Sequence, residues 1–239
     1  MILAILQARM SSTRLPGKVM APLVGAPMIQ RQIERVAASV RIADLVVATS
    51  DQSSDDPLAA FLKGQGVNVY RGPLDHVLNR FVGAAAAFGP TEHIVRLTGD
   101  CPFADPEVID ATIEACLHAH AEYASNTPPA RTFPKGLDVE VFTIEALQRA
   151  AADPSPQAVE HVTWDMFHQP QNYRDAFHNQ ILAEGEVRWT VDRPDDYEFA
   201  AAVYDALYKP EGPLFSSNDI RAFVRENPQW ALYGGDRRV

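Results

Sequence analysis

The sequence predicts an α/β fold, a mostly parallel sheet sandwiched by helices. Two observations carry this. Short apolar runs alternate with helix-length amphipathic stretches through the first half. Two of those stretches open on an acidic residue followed by proline, a cap-plus-first-turn signal. Composition permits the reading: 239 residues, 46% hydrophobic and 22% charged, suit a soluble globular chain able to bury its own core.

The elements follow in order. Residues 2–6 read as a buried strand. Residues 27–39 read as a helix with Ile29, Ile33, Val36 and Val40 on one stripe. Residues 45–48 are a second strand. Asp56 and Pro57 open a helix running to about Gly64. Residues 67–70 are a third strand, 74–88 an alanine-rich helix, and 93–97 a fourth strand. Asp105 and Pro106 start a helix that ends near His120. Parallel strands joined by right-handed crossovers gather their carboxyl ends on one side. The loops after Leu6, Ser50, Tyr70 and Leu97 should therefore face the same way, placing the basic stretch 9–18 near Asp100. The second half is less regular. Residues 126–134 read as a loop, 137–142 as a strand with one polar face, 155–169 as helical and 188–191 as a strand. Residues 193–208 read as a helix, and a last helix follows Ser217.

Charge and cysteine usage narrow the function. A balance of 21 Lys+Arg against 31 Asp+Glu, net −10, repels a nucleic-acid backbone but leaves room for a local anion site. The two cysteines, Cys101 and Cys116, form no disulfide framework and no zinc spacing, which suits a reducing, cytoplasmic setting. The apolar start ends at Gln7, too short for a signal segment, and no run reaches membrane-spanning length.

Four segments carry chemistry. QARMSSTRLPGK, residues 7–18, puts Arg9, Arg14 and Lys18 directly after a strand. Guanidinium forks and an ammonium suit a di- or triphosphate, and Gly17 permits close backbone approach. The Walker pattern is absent, because Val19 follows Lys18. A solvated basic turn explains the same residues equally well. RLTGDCP, residues 96–102, ends a strand on Asp100, well placed to hold Mg²⁺ on phosphate oxygens. Asp105 is explained as a helix cap, and Cys101 as a packed thiol. RWTVDRPDDYE, residues 188–198, brings Asp192, which reads as a cap or as a second metal carboxylate beside Asp100. Asp195, Asp196 and Glu198 read as acids favoured by a helix N-terminus. KGLDVEVF, residues 135–142, puts Asp138 and Glu140 on one face of a strand, lining a hydroxyl-rich pocket or an exposed edge. Glu160 and His161 sit in a helical stretch that could face that pocket.

Taken in order, these segments resemble the sugar-acid cytidylyltransferases, which include 3-deoxy-manno-octulosonate and acylneuraminate cytidylyltransferases. The spore-coat polysaccharide branch is most similar, matching at Ala8–Lys18, at 96–102, at 136–142, at EHVT (160–163) and at 188–198. The resemblance implies a nucleotide-diphospho-sugar transferase (GT-A-like) fold, with CTP and a sugar acid as substrates, Mg²⁺ as cofactor and a homodimer. It implies one nucleotidyltransferase domain over 1–239, with 126–190 as an acceptor-binding and dimerisation excursion. Ala8, Arg9, Ser12, Arg14 and Lys18 would form the CTP loop, with Arg71 and Asp75 (RGPLD, 71–75) near the nucleotide. Asp100 and Asp192 would serve the metal, and Arg9, Arg14, Lys18 and Asp100 the chemistry. Asp138, Glu140, Glu160 and His161 would meet the acceptor. Two rivals share the fold: a glycosyltransferase using a nucleotide sugar, and a non-catalytic nucleotide-binding subunit.

Overall fold

The computed structural model describes residues 1–128 and 130–239; Pro129, within the expected 126–134 loop, lies outside the described residues. The strands are β1 (Ile2–Gln7), β2 (Pro22–Leu23), β3 (Ala26–Pro27), β4 (Asp44–Ser50), β5 (Asn68–Gly72), β6 (His93–Thr98), β7 (Tyr123–Ser125), β8 (Glu140–Thr143), β9 (Asp175–Phe177), β10 (Leu232–Tyr233) and β11 (Asp236–Arg237). The helices are α1 (Met28–Val36), α2 (Asp56–Gly64), α3 (Val77–Phe88), α4 (Pro106–His118), α5 (Ile144–Ala152), α6 (Pro156–Glu160), α7 (Trp164–His168), α8 (Pro194–Leu207) and α9 (Ser217–Glu226).

Seven strands make the central sheet, in the order β5-β4-β1-β6-β8-β7-β9. The first four are parallel to one another, β8 runs antiparallel between β6 and β7, and β9 is parallel to β7. Both faces are buried. On β1, Ala4 and Leu6 enter the core under α1, α4, α8 and α9, while Leu3 and Ile5 enter the one under α3, α5 and α7. This two-sided burial is why β1 reads as an unbroken apolar run. The expected α/β sandwich is the observed one.

Several boundaries differ, each for a local reason. The first helix stops at Val36, and Asp110 then holds the Ser39 hydroxyl and the Val40 N–H, so Val40 stands in solvent and leaves the stripe. Helix α3 starts only at Val77, because the His76 ring accepts the Asn79 N–H as a cap. Residues 155–169 form two short helices rather than one. The break lets the Thr163 hydroxyl donate to Glu140 at 2.6 Å. Residues 188–191 run extended but make no ladder of their own. Their N–H groups go to three different segments, at Arg237, Lys135 and Asp100.

That last segment is positioned by Gly136. Its φ of +113° is a region L side chains avoid, and an added Cβ would lie 2.5 Å from the Thr190 nitrogen. Gly136→Ala should therefore cost about 1–3 kcal/mol, the usual range for such backbone strain, read as a lower urea midpoint at unchanged slope.

Candidate active site

The carboxyl ends of β1, β4, β5 and β6 open onto one side, and a cavity of about 610 Å³ lies there. Topological switch points of open α/β sheets put ligands in this position, where successive strands leave β1 in opposite directions. The loop after β1 forms one wall. Gly17 turns it through a left-handed φ of 73°, and its N–H returns to the Met10 carbonyl at 2.9 Å. Asp55, fully buried, anchors the same loop by accepting the Met10 N–H at 2.7 Å. The loop after β6 is tied across by the Gly99 N–H to the Gln7 carbonyl at 2.8 Å.

The centre of the cavity wall is Lys18. Its ammonium donates to the Val191 carbonyl at 2.7 Å and to Asp192 Oδ1 at 2.9 Å, and meets Asp100 Oδ2 at 3.5 Å. Residues 18, 100 and 192, remote in sequence, thus share one charge cluster. Arg14 and Arg188 each reach Asp192 Oδ2 at 2.9 Å. Burial opposes ionisation of Asp192, but Lys18, Arg188 and Arg14 outweigh it and hold its carboxyl down at about 2. The cap alternative for Asp192 does not apply. Asp196 instead accepts the N–H groups of Asp192 and Arg193, each at 3.0 Å, while the Asp192 carboxylate turns toward Lys18. Asp105 does cap α4, accepting the Glu107 N–H at 3.0 Å.

The Asp192 shift fixes a pH dependence. A carboxyl whose folded pKa is depressed stabilises above its unfolded value and loses that contribution as pH falls through the folded one. The window is from the ordinary aspartate value of 3.8 down to about 2. Asp192→Asn should flatten the acid-unfolding curve in that window, followed by circular dichroism.

Ala8, Arg9, Ser12, Arg14, Lys18, Asp75, Asp100, Glu160, His161 and Asp192 all line this cavity. Arg71 does not. Its guanidinium is drawn back to the Ser50 and Gln52 carbonyls and to Asp56. Cys101 is buried beside Asp100, and both burial and that carboxylate push its thiol well up, so it stays a neutral packed group. A second cavity of about 520 Å³ adjoins the first, and His161 lines both. Glu140 lies in its wall, paired with Arg96 and accepting from Tyr123 and Thr163. Asp138 is close by, gripped by both Nη atoms of Arg131, and does not itself line it.

A cytidylyltransferase family model matches residues 3–209. The chain belongs to that family. It is 36% identical over 241 residues to the spore coat polysaccharide biosynthesis protein SpsF of Bacillus subtilis, covering 96% of each chain. A 3-deoxy-manno-octulosonate cytidylyltransferase of Geobacter sulfurreducens is 39% identical over 114 residues, 47% of this chain and 44% of that one. The solved structure of a cytidylyltransferase from Leptospira borgpetersenii superposes with a TM-score of 0.88 at 29% identity, covering 95% of each chain.

A cytidylyltransferase needs cationic groups for a triphosphate, and one cation at this cavity carries no sequence signal. Arg80, on α3, lines the main cavity yet is only 2% exposed. It donates to the Pro73 carbonyl at 3.0 Å, and its buried Nε has no partner among the described residues. Burial, with Arg9 adding like charge, pulls the guanidinium below the ordinary arginine value. A divalent cation would meet two donors here, both now held by Lys18, with Arg14 and Arg188 also on Asp192. Asp100 and Asp192 supply hard oxygen donors, and among the described residues no third His, Cys, Asp or Glu completes a cage. That is the donor set of a cation arriving with phosphate oxygens and water. Among the described residues no helix is long and apolar enough to cross a membrane.

Proposed function

We propose that this chain transfers CMP from CTP to a sugar acid, releasing pyrophosphate, in assembly of a surface polysaccharide or glycan. The observation that carries the reading is the Lys18 ammonium held between Asp100 and Asp192 in a cavity also lined by Arg9, Arg14 and Arg80. The names of the Bacillus and Geobacter relatives support the polysaccharide setting and the sugar-acid class.

An acceptor oxygen attacks the α-phosphorus of CTP, the new P–O bond forms, and the bond to pyrophosphate breaks. Such transfer is governed by positioning and charge neutralisation. Arg9, Arg14, Lys18 and Arg80 offset the triphosphate, and the short Ala8–Ser12 turn follows its backbone. Asp100 and Asp192 would hold Mg²⁺, which neutralises charge developing on the phosphate oxygens. The acceptor lies in the second cavity. His161, facing both cavities, orients its hydroxyl toward the nucleotide, with Glu160 beside it; Glu140 sets the acceptor wall, and Asp138 acts on that wall through Arg131, which lines it. Residues 1–239 act as one nucleotidyltransferase domain in the cytoplasm, and 126–190 also carries the contact of a homodimer.

Thermal unfolding with CTP, UTP, GTP and ATP, each with and without Mg²⁺, tests the reading. Ligand at a hundred times its dissociation constant adds about 2.7 kcal/mol. A CTP-selective shift, followed by pyrophosphate release with 3-deoxy-manno-octulosonate or N-acetylneuraminate, is the expected result. Indifference to all four nucleotides, with hydrolysis of a UDP- or GDP-sugar, would replace it by the glycosyltransferase.

A further inference from the structure

We propose that the C-terminal hairpin is a working part of the active site. Arg238 and Arg188, acting through the buried carboxylate of Asp196, fix the Asp192 carboxylate where a divalent cation is to be received. The inference rests on the reading of Asp192 as a cation ligand. Its outermost part, the hairpin that carries Arg238, lies beyond position 209, where the family match ends.

The chain of contacts is continuous. Arg238 is fully buried. One of its nitrogens donates to the Arg188 carbonyl at 2.7 Å, and the other to Asp196 Oδ1 at 3.0 Å. Arg188 grips the same Asp196 from the side, Nε to Oδ1 at 3.0 Å and Nη2 to Oδ2 at 2.9 Å. That Nη2 also reaches Asp192 Oδ2 at 2.9 Å. Asp196 meanwhile accepts the Asp192 N–H, so it holds the backbone of the residue whose side chain Arg188 holds. Two further contacts seat the hairpin. The Arg188 N–H donates to the Arg237 carbonyl at 2.8 Å, and Arg193 pairs with Asp236.

The arrangement is costly if its purpose is only packing. Removing a guanidinium and a carboxylate from water is seldom repaid by their attraction, and apolar residues of the same volume often stabilise as well or better. What hydrogen-bonded charge pairs provide is direction. Here Arg188 holds the Asp192 carboxylate, Asp196 holds its N–H, and Arg238 holds those two; the Asp192 carboxylate must lie beside Asp100 although 92 positions separate them in the chain. Arg188, Asp196 and Arg238 are positioning residues, because none of the three lines the main cavity.

The test uses the full-length protein and Mn²⁺ as probe. The dissociation constant of Mn²⁺ in the CTP complex is read by electron paramagnetic resonance, and that of CTP alone in the presence of a chelator. Outer-shell partners of metal ligands typically contribute about 10- to 100-fold in affinity. Arg238→Met, which acts on Asp192 only through Asp196 and Arg188, should weaken Mn²⁺ by about 10-fold, the lower end of that range, and leave metal-free CTP binding unchanged. Arg238→Lys, the fallback if the Met variant does not fold, keeps the charge on Asp196 but cannot span the Arg188 and Tyr233 carbonyls as well, and should fall between. Wild-type Mn²⁺ affinity in either folded variant would overturn the proposal, as would equal losses of Mn²⁺ and metal-free CTP affinity. If the wild-type complex with CTP takes up no Mn²⁺, the reading of Asp192 fails and this inference with it. Loss confined to the variants overturns neither.

Discussion

Lys18→Ala should lower kcat/KM for CTP by about 10²–10³-fold, the usual cost of removing one preorganised donor from a developing charge. The Lys18 side chain is only 10% exposed, and its ammonium is the group on which Asp100 and Asp192 meet. Removing it takes a cation from the triphosphate and leaves two carboxylates facing each other. Arginine should not rescue, because a planar fork cannot occupy the place of a compact ammonium bonded to the Val191 carbonyl. Asp100→Asn should give a comparable loss with the fold retained, since Asp100 is the more exposed carboxylate and the one farther from Lys18. Steady-state kinetics on purified proteins, with circular dichroism as the folding control, check both. Near-normal turnover in both variants would reduce the cluster to a structural ion network.

How much of this could be read beforehand depends on what kind of order each residue obeys. Strands β1, β4 and β6 are buried on both faces, so their apolar runs are visible one residue at a time. The basic stretch 9–18 is visible because its charges lie close together in the chain. The crossover rule then places it near Asp100 without any side-chain detail. Strands β7 and β9, three residues each, are too short to show a period, and α5 follows β8 with no loop between them to mark it. Residues 188–191 look like a strand because Trp189, Thr190 and Val191 are aromatic or β-branched, but their partners are three separate segments that no local pattern announces. The strand expected over 137–142 begins only at Glu140, so Asp138 lies before it, and alternation is silent about the arginines that grip the two acids. Asp196 sits in the first turn of α8 as its acidic character suggests; its burial against Arg188 and Arg238 depends on a hairpin forty residues later.

Arg80 is the sharpest case of what periodicity conceals, and it yields the second large expected effect. An arginine on a helix is ordinarily a solvent-face residue. Here it is turned inward, next to Arg9, with a buried Nε that no protein group satisfies among the described residues. A buried cation with one donor left unsatisfied destabilises the protein that carries it. Its presence at the wall of the main cavity is explained if an anionic ligand completes it. Arg80→Met should then separate two quantities that normally move together. The ligand-free protein should unfold at the same temperature or higher, because a buried guanidinium whose Nε is unsatisfied is replaced by an apolar group of similar length. Affinity for CTP should fall about 10- to 100-fold, corresponding to the roughly 1.5–3 kcal/mol of a charged hydrogen bond. Differential scanning calorimetry and titration calorimetry on the same preparations measure the two. A variant that loses stability while binding CTP normally would assign Arg80 to packing beneath the Pro73 turn, and the triphosphate would be left to Arg9, Arg14 and Lys18.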